Sequence, residues 1–140
     1  MAPRHHDTLR HIMEAYVQGD LEPLMVAAAD DIVWNTNVPA SHFRFGGEFH
    51  GRIGLKEGLS LLASEFSLVR YDAREMIGNG DVVWVLSDVI ISENRTGRRA
   101  NAKLANRWQF RDGKIVSCTE FYDSVSVLIA LGRLDAKSAA

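Results

Sequence analysis

The sequence is poor in cysteine and has no long apolar run. Its single cysteine, Cys118, cannot form a disulfide within the chain. No N-terminal segment has the apolar centre of a signal peptide, and no run approaches the length that spans a bilayer. These absences predict a cytoplasmic protein with no membrane partner.

The chain also lacks a strong excess of charge of either sign. Its formal net charge of -2 gives no general attraction to nucleic acid or to an anionic surface. Five cations fall between Arg95 and Arg107, but on a pair of strands such a group is typical of a solvated face. We therefore expect no nucleic acid among the partners of this protein.

Metal-binding and phosphate-binding motifs are missing as well. No spacing of histidine, cysteine, aspartate and glutamate resembles a metal site. Gly51-Arg52-Ile53-Gly54 lacks both the lysine and the spacing of a phosphate-binding loop. We therefore expect neither a metal nor a cofactor.

What the chain does have is the length and composition of one globular domain. Its 140 residues are 46% hydrophobic and 24% charged, which is the usual globular mixture. A chain of this length buries roughly two thirds of its surface, enough for one core and an internal cavity. We expect residues 1–140 to form a single domain, frayed at residues 1–6 and 136–140.

Four stretches have the apolar spacing of amphipathic helices. Their apolar positions are Leu9, Ile12, Met13, Tyr16 and Val17; Leu21, Leu24 and Met25; Leu55, Leu59, Leu62 and Phe66; and Val125, Leu128 and Ile129. Gly19 is placed to end the first helix, while Asp20 and Ser124 are placed to cap the second and the last.

Strand patterns fill the rest of the chain. A first strand is predicted over 32–36, and four longer ones over 68–77, 82–92, 98–110 and 115–122. The turns between the last four are short and rich in glycine, so these strands should form an antiparallel meander. Because long antiparallel strands twist and coil, we predict an α+β fold. In it, a curved antiparallel sheet wraps around the helices as a cone with an internal cavity.

The connection over 38–49 is unusually aromatic. It contains Phe43, Phe45 and Phe49, with His42 and His50 beside them. Since loops are usually polar and lie on the surface, we expect the phenylalanines to fold back over an apolar surface. A histidine at the mouth of a cavity could transfer protons near neutral pH, although a plain surface position is the commoner one.

Three local motifs and the order of the elements point to one superfamily. The motifs are Tyr16-Val17-Gln18-Gly19-Asp20-Leu21-Glu22 with Ala29-Asp30-Asp31-Ile32-Val33-Trp34, then Phe49-His50-Gly51-Arg52, and finally Phe110-Arg111-Asp112-Gly113-Lys114-Ile115-Val116. They resemble the nuclear transport factor 2-like superfamily, and within it the SnoaL-like branch that includes polyketide cyclases. The resemblance implies the cone fold, a homodimer formed through the convex face of the sheet, and a pocket for a small apolar ligand.

The same resemblance leaves the reaction open. Where ketosteroid isomerase-like members have an aspartate base and an aspartic acid donor, this chain has Thr36 and Asn106. Limonene epoxide hydrolase-like members use two acids and a bridging arginine. Asp88 and Glu120 resemble the acids, and Leu86 stands at the arginine position. Because each set lacks a group that its reaction requires, we expect neither ketosteroid isomerisation nor epoxide hydrolysis by these mechanisms. The reaction type, whether isomerisation, hydration, dehydration or cyclisation, stays open.

Two carboxylates are the candidate catalytic groups. In a period-two pattern Asp88 shares a face with Trp84 and Leu86, and Glu120 shares a face with Tyr122. If both acids face one cavity, they can share a proton or hold a water, with a pKa raised by desolvation. The structural alternative pairs Asp88 with an arginine or a backbone donor and Glu120 with a cation of a neighbouring strand.

Seven further side chains are candidates for binding a ligand: Trp34, Thr36, His50, Trp84, Asn106, Trp108 and Tyr122. Each could instead belong to the core or the surface. The first hypothesis is therefore a cofactor-free acid/base enzyme (an isomerase, hydrolase, dehydratase or cyclase) acting on a small apolar polyketide-, steroid- or terpenoid-like compound. The second is a ligand-binding or dimerisation protein of the same fold without turnover.

Overall fold

The computed structural model describes residues 4–135, which form four helices and six strands. The helices are α1 (Arg4–Val17), α2 (Glu22–Ala27), α3 (Gly51–Glu65) and α4 (Ser124–Ala130). The strands are β1 (Ala28–Thr36), β2 (Gly47–His50), β3 (Phe66–Ile77), β4 (Val82–Glu93), β5 (Arg99–Arg111) and β6 (Lys114–Phe121). The predicted α+β class is confirmed, and none of these helices is both long and apolar enough to cross a membrane.

The start of the chain is more ordered than its sequence indicates. His5 and His6 belong to α1, where the His5 ring stacks on Phe110 with centroids 3.8 Å apart. His6 Nε2 donates a hydrogen bond of 2.6 Å to the carbonyl oxygen of Gly78. The predicted fraying is therefore wrong for residues 4–6, while residues 1–3 and 136–140 lie outside the described range.

One curved sheet contains all six strands, in the order β2-β1-β6-β5-β4-β3. The long meander is antiparallel as predicted, but β1 and β6 pair in parallel. The sheet is therefore mixed: the first strand lies beside the last one and runs parallel to it. The four-residue β2 pairs antiparallel with β1 and was not predicted.

The hairpin between β5 and β6 follows from its Asp-Gly turn. Asp112 and Gly113 both have positive φ angles, of 51° and 79°. Two residues in the left-handed region match the twist of the flanking strands, and asparagine, aspartate and glycine adopt that conformation most easily. This turn sets which side chains of β6 lie opposite those of β5.

The helix caps differ slightly from the prediction. Asp123, rather than Ser124, caps α4, and its Oδ1 accepts a hydrogen bond of 3.1 Å from the backbone N–H of Ser126. The N-cap of α2 is Leu21, which makes no side-chain cap bond, and Asp20, one residue earlier, accepts a bond of 3.0 Å from the backbone N–H of Glu22. An acceptor at these helix starts satisfies a backbone donor that has no partner within the helix.

The aromatic connection between β1 and β2 packs inward. Phe43 and Phe45 are only 1% and 4% exposed, and the Phe43 ring meets the Tyr122 ring edge-on. Arg133 holds this connection to the rest of the molecule, since it donates to the carbonyl oxygen of His42 and to the Glu93 carboxylate. The expectation that these phenylalanines cover an apolar surface is confirmed.

Candidate active site

An internal cavity of about 130 Å³ lies between the sheet and the helices. Its wall is mostly apolar. The lining residues with a polar atom are Tyr16, Trp34, Tyr71, Asn106, Trp108, Cys118, Glu120 and Tyr122. Most small-molecule sites enclose roughly 300 to 1,000 Å³, so this cavity suits a compact occupant.

Glu120 is the only acidic residue among the described residues that line this cavity, and none of them is basic. It lies on β6, between Thr36 of β1 and Asn106 of β5. Trp34 Nε1 donates a hydrogen bond of 3.4 Å to Glu120 Oε1. The carboxyl group is thus held by a neutral donor, without a cation of the lining beside it.

This environment raises the pKa of Glu120. Burial is the main cause, because it penalises the charged form, and hydrogen bonds from Trp34 and Asn106 oppose it only in part. A larger fraction of Glu120 is therefore protonated near neutral pH than of an ordinary carboxyl group. Such a group can both donate and accept a proton.

Three tyrosines surround the acid. Burial and the nearby Glu120 charge raise the pKa of Tyr16 to about 12, and the same two causes raise the pKa values of Tyr71 and Tyr122. Their hydroxyl groups therefore remain protonated and can donate hydrogen bonds. The Tyr16 and Tyr71 rings meet edge-on with centroids 6.5 Å apart.

Asp88 does not join Glu120. It lies on the opposite face of the sheet, where its Oδ2 accepts a bond of 2.8 Å from Arg74 Nε and its Oδ1 one of 3.2 Å from Lys103 Nζ. Hydrogen bonds from Arg74 and Lys103 lower its pKa. The two acids therefore do not face one cavity, the condition on which a catalytic pair depends, and Asp88 fits the structural alternative.

Three of the proposed ligand-binding residues also lie elsewhere. Trp84 is on the outer face and stacks on Phe121, with ring centroids 6.0 Å apart. The His50 side chain is 68% exposed and bonds to Glu48. Thr36 is fully buried beside Glu120 but is not part of the cavity wall. His50 thus follows the surface alternative, and Thr36 lies in the core. Trp84 belongs neither to the cavity wall nor to the core, the two positions expected for it.

The other four candidates reach the cavity. Trp34, Asn106, Trp108 and Tyr122 all line it together with Glu120. Two of their buried atoms, Asn106 Oδ1 and Trp108 Nε1, have no hydrogen-bond partner among the described residues. Two residues of the cavity wall therefore have an unused acceptor and an unused donor.

A comparison with protein families identifies the chain. The family model for the SnoaL-like domain matches residues 9–118, which is most of the 140 residues. The protein belongs to the SnoaL-like domain family. No curated protein matches this SnoaL-like chain.

Solved structures share the fold of this SnoaL-like protein. An NTF2-like protein of unknown function from Burkholderia pseudomallei K96243 has a TM-score of 0.81 and 24% identity over 88% of this chain and 93% of that one. TerC, co-crystallised with polyporic acid, has a TM-score of 0.81 and 22% identity over 90% and 96%. IdmH, a candidate polyketide cyclase from Streptomyces antibioticus, has a TM-score of 0.73 and 24% identity over 92% and 99%. These likenesses establish the cone fold alone.

Sequence reasoning missed two tyrosines of the SnoaL-like cavity. Tyr16 lies on the apolar face of α1, a position that its spacing from Ile12 and Met13 already indicates. Tyr71 is harder to assign, because the register of β3 shifts between Leu68 and Arg70. A bulge of this kind moves the following side chains to the other face, so simple alternation fails there.

Within residues 4–135, no group of three or more histidine, cysteine, aspartate and glutamate side chains is arranged to hold a metal ion. Cys118 lies in the cavity wall, and burial, followed by the charge of Glu120, raises the pKa of its thiol. The chemistry that this site offers with its own side chains is therefore proton transfer and hydrogen bonding.

Proposed function

We propose that this SnoaL-like protein is a cofactor-free enzyme in which Glu120 moves a proton within a compact, mostly apolar molecule. One observation carries the proposal: Glu120 is the single acid among the described residues of an apolar cavity wall, and burial raises its pKa. A group poised in this way suits general acid/base catalysis near neutral pH.

The geometry favours reactions that need one proton-transfer group and one stabiliser of negative charge. The Glu120 carboxylate would take a proton from a carbon beside a carbonyl group, and the resulting acid would return it to another atom. Tyr16 or Tyr122 would donate a hydrogen bond to the carbonyl oxygen as it gains charge. Isomerisation and cyclisation fit this description better than a hydrolysis with two acids, since Asp88 lies outside the cavity.

The volume of the cavity limits the size of the substrate. A volume of about 130 Å³ favours a compact polyketide- or terpenoid-like carbonyl compound over a steroid. The name of IdmH, a candidate polyketide cyclase, agrees with this class. Among the reactions considered, cyclisation or isomerisation of a small ring compound is therefore the function that the site supports best.

The proposal is tested by hydrogen–deuterium exchange at the methyl group of acetophenone, followed by NMR in deuterated buffer. Removal of this proton is the step assigned to Glu120. We expect the protein to accelerate the exchange and Glu120→Gln to lower that acceleration by roughly a hundredfold or more.

Asp88→Asn is the matched control, because it removes a carboxylate of the same sheet that faces away from the cavity. It should leave the exchange rate unchanged. If exchange with the wild-type protein is no faster than in buffer alone, or if both variants lose the acceleration equally, Glu120 has no catalytic role.

A second candidate function is ligand binding without turnover. TerC, which has the same fold, was co-crystallised with polyporic acid, and the cavity of this chain lacks a second acid among its described lining residues. If acetophenone binds but does not exchange, and Glu120→Gln changes only its affinity, binding is the function.

A homodimer is part of the proposal. Trp84, Leu86 and Phe121 form an apolar cluster on the outer face of the sheet, and Phe121 is 38% exposed. Beside them, Asp88 lies between Arg74 and a lysine, so the face carries both signs of charge. A second copy, rotated by a two-fold axis, would match apolar cluster to apolar cluster and cation to anion.

A further inference from the structure

Two unpaired atoms of β5 indicate what the cavity recognises. Asn106 is 1% exposed and Trp108 is 7% exposed, and both line the cavity. Neither Asn106 Oδ1 nor Trp108 Nε1 has a hydrogen-bond partner in the described part of the chain. Buried polar groups are almost always hydrogen-bonded. Of the buried atoms without a partner in the described part of the chain, these two belong to residues of the cavity wall, where an occupant of the cavity could supply the missing partner.

The polarity of each place follows from the chemistry of its atom. An indole Nε1–H is a donor only, so Trp108 requires an acceptor. The amide nitrogen of Asn106 already points to Cys118, with Nδ2 and Sγ 3.6 Å apart, which leaves Oδ1 as an acceptor that requires a donor. Trp34 differs, because its indole N–H is already bonded to Glu120.

The register of the sheet places the two atoms relative to the acid. Asn106 lies directly opposite Glu120, and Trp108 lies directly opposite Cys118. Positions two apart on one strand share a face and are separated by about 7 Å. A group that donates to Asn106 is therefore next to the Glu120 carboxyl group, and a group that accepts from Trp108 is one step further along the strand.

From these placements we infer that the ligand is a hydroxy-substituted or enolised carbonyl compound. Its carbonyl oxygen accepts from Trp108 Nε1, its O–H donates to Asn106 Oδ1 beside Glu120, and an apolar ring connects the two groups. This inference rests on the proposed function, because it names the substrate class of the same cavity. It adds the orientation in which the substrate lies against the acid.

Three one-ring probes of similar size test the inference: ethylbenzene, acetophenone and meta-hydroxyacetophenone. Ethylbenzene carries neither polar group, acetophenone carries only the carbonyl acceptor, and meta-hydroxyacetophenone carries both the acceptor and the O–H donor. We expect affinity to rise along this series, by roughly threefold to tenfold for each added hydrogen bond. Affinities would be measured by NMR titration of the indole N–H signals.

The three tryptophans provide an internal comparison. The indole N–H signal of Trp108 should shift when either carbonyl probe binds, and ethylbenzene should cause only a small ring-current shift. The signal of Trp84, on the outer face, should stay in place with all three probes. Trp108→Phe assigns the signal and should abolish the advantage of acetophenone over ethylbenzene. Asn106→Leu, which keeps the branched shape of the side chain and removes both polar atoms, should abolish only the further advantage of meta-hydroxyacetophenone.

Equal affinities for the three probes, or a Trp108 signal that stays in place while acetophenone binds, would overturn the inference even if a variant failed to fold, since both are measured on the unaltered protein. Glu120→Gln separates this inference from the proposed function. If that variant keeps the affinity order but wild type shows no exchange, recognition stands and catalysis fails. If wild type exchanges protons without the affinity order, only the recognition is overturned.

Discussion

Glu120 lowers the stability of the folded protein, because it is buried in an apolar cavity. Burying a carboxyl group without a cation beside it penalises the charged form, and the hydrogen bond from Trp34 offsets this only in part. A leucine or a glutamine at this position would be less costly for folding. The cost is consistent with a residue retained for chemistry rather than for stability.

We predict that Glu120→Gln stabilises the folded protein and that the gain grows with pH. The folded pKa is raised above the ordinary value of 4.5. Below that value both states are protonated, and Glu120 carries no charge penalty. As the pH rises from the unfolded towards the folded pKa, stability is lost in the wild type but not in the variant.

Urea denaturation at about pH 5, close to the ordinary pKa, and at about pH 8, well above it, would measure the difference in unfolding free energy between wild type and variant. Asp88→Asn is again the matched control, and the sign of its pKa shift is opposite. Asp88→Asn should therefore lower the free energy of unfolding, whereas Glu120→Gln should raise it. If Glu120→Gln is less stable than the wild type at the higher pH, Glu120 is a structural acid.

The positions of the two acids show what a single sequence can predict at this scale. Glu120 follows Cys118 on β6, and alternation places both on the inner face, as the structure confirms. On β4 the same argument fails. Val83 and Val85 are fully buried inside, while Trp84 and Leu86 point outward, so both faces are apolar and alternation cannot say which one is the core.

At the scale of elements, Gly58 determines how closely α3 approaches the sheet. A Cβ atom at this position would lie 2.6 Å from the Trp34 ring and 2.8 Å from the Phe49 ring. Neither ring can yield easily, because the two stack on each other with centroids 5.7 Å apart. Glycine here allows α3 to pack directly against the Trp34 ring, whose indole N–H bonds to Glu120.

We predict that Gly58→Ala destabilises the protein by about 1 to 3 kcal/mol, although alanine is the better helix former by about 1 kcal/mol. Denaturant unfolding followed by tryptophan fluorescence would measure this loss. Gly54→Ala is the comparison on the same helix, where the nearest contact of a Cβ atom would be 3.3 Å. It should change stability by less, and a stabilised Gly58→Ala variant would contradict the close packing.

Most elements could be predicted because their signals are local. Apolar spacing gives the helices, and turns such as Asp112-Gly113 give the hairpins of the meander. The strand β2 was missed because it is four residues long and lies in an aromatic connection. The parallel pairing of β1 with β6 depends on contacts between distant parts of the chain, and no local pattern encodes it.

At the scale of the whole molecule, the outer face of the sheet should decide the oligomeric state. We predict that Leu86→Arg converts the proposed dimer to a monomer, because it places a charge in the apolar cluster with Trp84 and Phe121. Sedimentation equilibrium would measure the change. Ile53→Arg, at a helical position that is 85% exposed, is the matched control and should leave the dimer intact. A wild-type protein that sediments as a monomer would contradict the proposed dimer.

The parallel contact between β1 and β6 has a consequence for how the protein is made. Trp34 and Glu120, which meet in the cavity, are 86 positions apart. During synthesis β1 can pair with β2 early, but its parallel neighbour β6 is made only after the other strands of the meander, and closure of so long a loop is slow. The strand that completes the sheet also brings the acid. The cavity therefore gains its acid only when the last strand joins the sheet.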